Sequence, residues 1–217
     1  MRFLITAGPT REPIDPVRYI SNRSSGKMGY AIAEAALEVG HDVVLISGPV
    51  NVDPPRRAHV ISILTSDEIY DAVHQHVRDC DVLVMCAAVA DYKPQNVSAT
   101  KIKKRDAPFS LELVPTRDIL SSLQNKDRQF LVVGFAAETN DVEANARNKL
   151  QTKHCDIIVA NDVSSADSGM ESDQNEVTIF FRNGETKKIS RAPKKNIARE
   201  LVKIFSNTRE KRLTKKM

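Results

Sequence analysis

Residues 81–88 read DVLVMCAA, an apolar run in which polar and apolar side chains do not alternate. A strand that is apolar on both faces is typical of a parallel sheet covered by helices on both sides. Further strand-like runs occur at Phe3–Ala7, Val43–Ser47, Val60–Leu64, Ser110–Val114, Phe130–Ala136 and Asp156–Ala160. Segments with helical periodicity separate these runs. The alternation predicts a Rossmann-like α/β fold of three layers, a mostly parallel sheet with helices on both faces.

Local signals mark several helix ends and one hairpin. Lys27–Val39 has apolar residues at helical spacing, and Gly40 follows it as a stop signal. Residues 65–68, TSDE, have the capping-box pattern and predict a helix to about Arg78. Further helices are predicted at Arg117–Leu123, Val142–Thr152 and Lys194–Phe205. Asn183-Gly184 predicts a late antiparallel hairpin between residues 176–181 and 185–189, at a sheet edge or against a second subunit.

The length and charge of the chain favour one globular domain. Its 217 residues carry a formal net charge of +4. We predict a domain at residues 1–207 and a basic, disordered tail at residues 208–217. The tail holds five Lys or Arg residues and one Glu, and it therefore accounts for the whole excess charge. A nucleic-acid-binding domain normally carries a basic stripe on its folded body, so we expect no nucleic-acid partner.

Apolar runs and cysteines suggest the compartment. The longest apolar runs are too short to span a bilayer, and the N-terminus lacks the pattern of a secretory signal, so we expect a cytoplasmic protein without membrane contact. Cys80, Cys86 and Cys155 lie in or beside strand-like runs without metal-type spacing. This placement predicts reduced core thiols, with a reactive thiol as the alternative.

The long first loop, residues 8–26, predicts an anion site. The glycine spacing GxGxxG of dinucleotide-binding proteins is absent. Gly26-Lys27 is similar to a P-loop, but Ser21 occupies the position of the required upstream glycine. Ser24-Ser25-Gly26 at the start of a helix suits phosphate, although a helix capped by serine is the alternative. The loop also carries Arg11, Arg18, Asn22 and Arg23, which suit a substrate with both a phosphate and a carboxylate or are solvated side chains.

Five blocks of sequence resemble the phosphopantothenoylcysteine synthetase family. They are GPTREPIDPVRYISN at 8–22 leading into SSGKMG at 24–29, AAVADY at 87–92, KIKK at 101–104, GFAAET at 134–139 and ANDVS at 160–164. The blocks occur in order and span nearly the whole chain. The lysine-rich block is similar to the lid of the bacterial, CTP-using branch. Many bacterial relatives are fused to a flavin-dependent decarboxylase, which this sequence lacks, and the chain therefore resembles the stand-alone form.

The resemblance implies a ligase of coenzyme A biosynthesis. The carboxylate of 4′-phosphopantothenate attacks CTP to give an acyl-cytidylate and diphosphate, and the amine of L-cysteine then displaces CMP to form the amide. The implied reaction needs Mg²⁺ with the CTP, held largely by phosphates and water. The resemblance also implies a homodimer, in which the late hairpin helps to complete the neighbouring site; a plain edge hairpin is the alternative.

The resemblance implies roles for individual residues. Asn22, Lys101 and Arg18 are the expected catalytic residues, and Arg18, Asn22, Ser24, Ser25 and Gly26 the expected substrate-binding residues. The expected nucleotide-binding residues are Met85, Cys86, Ala87, Asp91, Lys101, Arg117, Asp118, Ile119, Leu120, Phe135, Lys149 and Lys153. The sequence departs from the family where Thr116-Arg117-Asp118 replaces the common Asn-Pro-Asp, and Thr116 is predicted to cap a helix whose first N–H groups face the ligand.

Ordinary structural explanations remain as alternatives for some of these residues. Lys101–Lys104 is also typical of a solvated charge run, Lys149 and Lys153 of a helix end, and Phe135 of a core aromatic. As a different class of function we consider an NAD(P)-dependent Rossmann-type oxidoreductase. The missing glycine spacing argues against it, as does Ser47-Gly48 where an acidic residue normally ends the second strand.

Overall fold

The computed structural model of the chain describes residues 1–104, 106–123, 128–138, 140–162 and 172–214. Its strands, in chain order, are β1 (Arg2–Ala7), β2 (Arg11–Pro13), β3 (Tyr19–Ser21), β4 (Asp42–Ser47), β5 (His59–Ser62), β6 (Val82–Met85), β7 (Tyr92–Pro94), β8 (Leu113–Pro115), β9 (Leu131–Glu138), β10 (Ile157–Asp162), β11 (Gln174–Phe181) and β12 (Thr186–Pro193). Its helices are α1 (Lys27–Glu38), α2 (Ser66–His76), α3 (Ile119–Ser122), α4 (Val142–Thr152) and α5 (Lys194–Thr214), and a 3₁₀ turn (Val77–Asp79) follows α2.

Eight of these strands form one sheet in the order β12-β11-β10-β9-β6-β1-β4-β5. Neighbouring strands from β5 to β10 are parallel. The last two strands run antiparallel, β11 to β10 and β12 to β11, and β12 forms one edge of the sheet. The mostly parallel sheet and the late edge hairpin are therefore confirmed.

Helices cover both faces of the sheet because successive strand residues point to opposite sides. On one face, Phe3 of β1 belongs to the same core cluster as Ile32 of α1 and Leu201 of α5. On the other face, Leu4 shares a core cluster with Ile69 of α2 and Leu150 of α4. The predicted three-layer arrangement is confirmed, and it leaves the ends of the strands as the place where loops converge.

The predicted helix signals act as expected. The Oγ1 atom of Thr65 accepts a hydrogen bond from the Glu68 N–H at 3.2 Å, and Glu68 Oε2 accepts one from the Thr65 N–H at 3.3 Å. This is the reciprocal capping box that the sequence predicted for α2. Gly40 follows α1 with a φ of +81°, a left-handed conformation that is open to glycine without steric cost.

Two parts of the chain differ from the prediction. The strand expected at Ser110–Val114 is β8, which pairs with β7 in a separate two-stranded sheet and not with the main sheet. The first loop contains a small hairpin, β2 with β3, that was not predicted. Each of these strands has three residues, which is too short for an alternating pattern to be recognised.

The C-terminus also requires a correction. Helix α5 was expected to end near Phe205 and to be followed by a disordered tail, but it continues to Thr214. Arg209 is buried in that continuation. Residues 208–214 are thus part of the folded domain, while Lys215, Lys216 and Met217 lie outside the described residues. Within the described part of the chain, no helix is long and apolar enough to cross a membrane.

Candidate active site

The strand order places a crevice at the centre of the sheet. From β1 the chain moves outward to β4 and β5, and from β6, on the other side of β1, it moves to β9 and β10. Such a switch point opens a crevice beyond the carboxyl ends of the two central strands, where ligands bind in folds of this kind. The loops that follow β1, β6 and β9 therefore define the candidate site.

Three glycines bring α1 directly against the end of β1. Gly8 and Gly26 both have positive φ values, +75° and +74°. A Cβ atom on Gly26 would lie 2.5 Å from Val50 Cγ1, and one on Gly29 would lie 2.6 Å from the Cβ of Ala7. The glycines thus permit the tight turn and close helix–strand approach of a dinucleotide-binding fold. They do not follow the GxGxxG spacing, because seventeen residues separate Gly8 from the Gly26-x-x-Gly29 pair.

The first loop is hydrogen-bonded to the segment after β6. The Thr10 N–H donates to the Ala88 carbonyl at 3.2 Å, and the Ala88 N–H donates to the Gly8 carbonyl at 2.9 Å. Asn22 Nδ2 donates to the same Ala88 carbonyl at 3.1 Å. These bonds bring two of the family-like blocks together and fix the side chain of Asn22 at the mouth of the crevice.

The crevice consists of two adjoining compartments, which we name the acyl compartment and the nucleotide compartment after the ligands that the sequence resemblance implies for their residues. The acyl compartment, of about 470 Å³, is lined by Asn22, Ser24, Ser25, Gly26 and Cys86 among others. The nucleotide compartment, of about 320 Å³, is lined by Met85, Arg117, Asp118, Ile119, Leu120 and Lys153 among others. Ala87, Val89, Asp91, Phe135 and Lys149 line both. The predicted site residues are therefore gathered in one crevice, with the exceptions of Arg18 and Lys101.

The backbone at the end of β6 offers less to a ligand than expected. Thr6 Oγ1 accepts hydrogen bonds from the N–H groups of both Cys86 and Ala87, each at 3.1 Å. The resemblance implies that Met85, Cys86 and Ala87 bind the nucleotide. The two N–H groups are already used by Thr6, a buried polar residue that the prediction overlooked inside an apolar strand.

The start of α3 differs from the predicted cap. Thr116 Oγ1 donates to the Ala90 carbonyl at 2.7 Å and so ties β8 to the segment after β6. The N-cap is Asp118, whose Oδ1 accepts from the Ser121 N–H at 3.0 Å. Asp118 also forms an ion pair with Lys153. Burial by itself raises the pKa of Asp118, but the bonds from Lys153 and Ser121 outweigh it and lower the pKa.

The other cations of the nucleotide compartment are held in fixed positions. Lys149 Nζ donates to the Phe135 carbonyl at 2.9 Å, and Phe135 itself is half-buried between the two compartments. Arg117 lies over the ring of Tyr70 at 3.8 Å and forms ion pairs with Asp67 at 3.1 Å and Asp71 at 3.0 Å. The Arg117 side chain is thus braced against α2.

Arg18 and Lys101 lie outside the two compartments. Arg18 forms an ion pair with Asp15 at 2.9 Å and donates to the carbonyl of Ile102, so its guanidinium is directed towards the lysine-rich segment and not towards the acyl compartment. Lys101 is exposed at the surface. The contact of Arg18 with the substrate therefore stays a prediction.

Some residues of the acyl compartment were not predicted. Lys27, Asn161, Asn175 and Lys194 line it together with the first loop. Lys194 is buried, and its pKa is lowered first by burial and then by the charge of Lys27. Asn161 lies in a family-like block, whereas Lys194 stands at the start of the last helix, where no local signal pointed to the crevice. Thr139, Val163 and Ser164 of those blocks lie outside the described residues.

The cysteines are free, as predicted. Cys80 and Cys155 are buried in the core and Cys86 is half-buried in the crevice. Burial raises the pKa of the Cys86 thiol to about 12, which argues against a nucleophilic role. Within the ranges that the structure describes, no three His, Cys, Asp or Glu side chains cluster as a metal site.

Comparisons with known proteins agree with this geometry. The family model described as "DNA/pantothenate metabolism flavoprotein C-terminal domain" matches residues 1–208. The coenzyme A biosynthesis bifunctional protein CoaBC of Vibrio vulnificus (strain CMCP6) is 48% identical over 187 residues, which cover 84% of this chain and 46% of the relative. The chain thus spans about half the length of the curated relatives that it matches.

Solved structures give the same picture. The crystal structure of the C-terminal domain of CoaBC superposes with a TM-score of 0.83 at 41% identity, covering 97% of this chain and 96% of that one. A Cab2 variant in complex with phosphopantothenate-cysteine shares the fold, with a TM-score of 0.81 at 15% identity over 99% of this chain and 88% of that one. The resemblance found in the sequence is confirmed, and the chain belongs to the family of DNA/pantothenate metabolism flavoprotein C-terminal domains, the domain of the phosphopantothenoylcysteine synthetases.

Proposed function

We propose that the chain catalyses the CTP-dependent ligation of 4′-phosphopantothenate to L-cysteine. The observation that carries the proposal is the pair of adjoining compartments, which share Ala87, Phe135 and Lys149 as a common wall. Two ligands bound in such a crevice meet end to end. The relatives named for coenzyme A biosynthesis, and the Cab2 complex with phosphopantothenate-cysteine, support this choice of substrates.

In the first half-reaction, the carboxylate of 4′-phosphopantothenate attacks the α-phosphate of CTP and diphosphate leaves. Two anions must approach each other, so positive charge has to lie at their meeting point. Lys149 lies on the shared wall, and Lys153 lines the nucleotide compartment alone. Holding both reactants in one geometry supplies much of the acceleration, because it removes the entropy cost of their encounter.

In the acyl compartment, the start of α1 provides donors for the other reactant. Gly26 precedes the helix and has no side chain to cap its first turn. Gly26, Lys27, Met28 and Gly29 line the compartment, where the first N–H groups of a helix favour an anion. Asn22, fixed by the Ala88 carbonyl, is in place to hold the acyl group of the acyl-cytidylate.

In the second half-reaction, the amine of cysteine attacks the acyl carbon and CMP leaves with the former carboxylate oxygen. The amine loses a proton to water as the amide forms, and negative charge passes to the phosphate of the departing CMP. Lys101 acts here through its exposed side chain, which turns towards the crevice when the ligands are bound. We propose that Mg²⁺ enters with CTP and is held by its phosphates and by water.

Diphosphate release tests the proposal. The purified chain with CTP, 4′-phosphopantothenate and Mg²⁺ should release about one equivalent of diphosphate per site, and adding L-cysteine should give continuous turnover and the amide product. ATP in place of CTP tests the choice of nucleotide. A fluorescence titration with NADPH tests the oxidoreductase alternative, for which tight binding without any diphosphate release would replace the ligase.

We also propose that two copies associate through the β11–β12 hairpin. Strand β12 forms a sheet edge, which offers unpaired backbone groups to another chain. Light scattering after size-exclusion chromatography should give the mass of a dimer. A monomer that retains full activity would remove the hairpin from the account of the site.

A further inference from the structure

The side chain of Asp15 is completely buried in a surface turn of the first loop. Its Oδ1 accepts hydrogen bonds from the N–H groups of Val17 at 2.8 Å and Arg18 at 2.9 Å. Burial alone raises the pKa of Asp15, but its backbone hydrogen bonds and the Arg18 guanidinium outweigh burial and hold the pKa below its usual value. Asp15 is therefore a carboxylate at neutral pH.

The second oxygen of Asp15 binds the lysine-rich segment. Oδ2 accepts from the Ile102 N–H at 3.1 Å and pairs with Arg18 Nη2 at 2.9 Å. The same Nη2 donates to the Ile102 carbonyl. Both backbone groups of Ile102 are thus bound by one ion pair, and hydrogen bonds of this kind are stronger than those between neutral groups.

Lys101 sits between two attachments of its segment. Ahead of it, the Ser98 N–H donates to the Ile14 carbonyl at 3.0 Å, and directly after it Ile102 is held by Asp15 and Arg18. The Lys101 side chain is exposed and has no hydrogen bond or ion pair among the described residues. Its place is therefore set by its backbone, and the backbone is set by the turn that contains Asp15.

We propose that Asp15 is a positioning residue for Lys101, acting through Arg18 and the backbone of Ile102. The proposal rests on the proposed function, in which Lys101 serves the attack by cysteine. It assigns to Arg18 the task of holding the lysine-rich segment. The turn also connects that segment with Asn22, because Arg18 and Asn22 stand at the two ends of β3.

Hydrogen exchange and proteolysis test the attachment without any substrate. Asp15→Asn keeps the size of the side chain but removes its charge, and we expect at least ~10-fold faster amide exchange at residues 98–104 and faster tryptic cleavage after Lys101, Lys103 and Lys104. Asp106→Asn, which removes a charge from an exposed position nearby, is the matched control and should change neither rate. Unchanged exchange in Asp15→Asn overturns the proposal, whatever its activity.

Kinetics then test the consequence. Asp15→Asn should slow amide formation by ~10- to 100-fold, the cost of displacing one reacting group by about an ångström, while cysteine-independent diphosphate release stays within about twofold. In a Lys101→Gln background, the same change should cause less than about a twofold further loss, because it acts through Lys101. The positioning role would be contradicted if the losses of amide formation in the two single variants multiplied fully in the double variant. It would also be contradicted if Asp15→Asn exchanged faster at residues 98–104 but formed the amide at the normal rate.

A second variant allows the test to be made even if Asp15→Asn does not fold. Arg18→Gln retains the two bonds from Asp15 to its own turn but loses the contact with the Ile102 carbonyl, and it should loosen residues 98–104 to a smaller degree than Asp15→Asn. If Asp15→Asn does not fold, this comparison with wild type decides the question. Absence of any ligase activity in the wild type would contradict the proposed function. The hydrogen-exchange result would still test the attachment of residues 98–104, because it needs no substrate.

Discussion

Two basic segments look alike in the sequence and behave in opposite ways in the structure. Lys101, Lys103 and Lys104 are exposed, and their segment is held by the backbone alone. In the C-terminal segment, Arg209 is buried and pairs with Asp81 at 3.4 Å. Arg212 pairs with Asp156 at 3.0 Å and donates to the carbonyls of Phe130 and Arg128. The exposed segment presents its lysine side chains to solvent, whereas the buried one joins α5 to the domain.

The difference shows that periodicity, and not the number of charges, indicates burial. Ile197, Leu201 and Phe205 are buried at intervals of four residues, and Arg209 occupies the next position on the same helical face. Its long apolar stem covers the core while its guanidinium reaches Asp81. The lysine-rich segment has no such continuation of an apolar face. The expectation of a disordered tail, based on composition, overlooked this pattern.

The largest effect should come from the exposed segment. Lys101→Gln should lower amide formation by about 10²- to 10³-fold, the usual loss for one donor to developing charge, and acyl-cytidylate should accumulate after normal diphosphate release. Its unfolding free energy should change by less than about 0.5 kcal/mol, since a surface substitution breaks no packing. Lys103→Gln is the control in the same run. Normal turnover by Lys101→Gln would remove this lysine from the mechanism.

The largest loss of stability should come from Asp156, the partner of the buried segment. Its carboxylate accepts from Arg128 at 2.7 Å, Arg212 at 3.0 Å and the Val132 N–H at 2.8 Å. Asp156→Asn leaves the buried Arg128 without its counter-charge, and urea unfolding should show a loss of about 3 kcal/mol. Glu176→Gln, which breaks an exposed pair with Lys188, should cost less than about 1 kcal/mol. Equal losses in the two variants would contradict the distinction.

The next largest loss of stability should come from truncation after Asn207. It removes Arg209 and Arg212, and we expect a loss of about 2 kcal/mol, less than for Asp156 because Asp81 and Arg212 are partly exposed. Ligand-saturated turnover per folded molecule should be retained, since neither arginine lines the crevice. Differential scanning calorimetry together with turnover measures both. Unchanged stability would restore the disordered tail that composition suggested.

The smallest effect should come from Arg117, which is exposed but paired with α2. Its ion pairs with Asp67 and Asp71 are solvent-accessible, so Arg117→Ala should cost less than about 1 kcal/mol. The KM for CTP should rise by less than about threefold, because the guanidinium is turned towards α2. A tenfold rise in KM would show that Arg117 leaves Tyr70 and contacts the nucleotide.

The sequence was sufficient for the parts of the molecule that follow from periodicity. The parallel strands, the capping box before α2 and the hairpin at Asn183-Gly184 each depend on neighbouring residues, and each is confirmed. The site residues other than Arg18 and Lys101 are gathered at one crevice because the carboxyl ends of parallel strands meet at one edge.

The features that the sequence did not reveal depend on residues far apart in the chain. Thr6 accepts from the N–H groups of Cys86 and Ala87, 80 and 81 residues away, and Asp15 binds Ile102 across a separation of 87 residues. Gly8 and Gly26 lie close together only because the residues between them form a separate loop. Asp118 replaces Thr116 as the cap of α3 because Thr116 is already bonded to Ala90. Patterns among neighbouring residues do not reveal partners that lie so far away in the sequence.

The most direct test of the central claim is isotope exchange of labelled diphosphate into CTP. If the crevice binds CTP and 4′-phosphopantothenate together and forms an acyl-cytidylate, exchange should occur without cysteine and should require 4′-phosphopantothenate. Lys101→Gln should retain that exchange. Exchange that proceeds without the acid, or its complete absence with every reactant and Mg²⁺ present, would contradict the account.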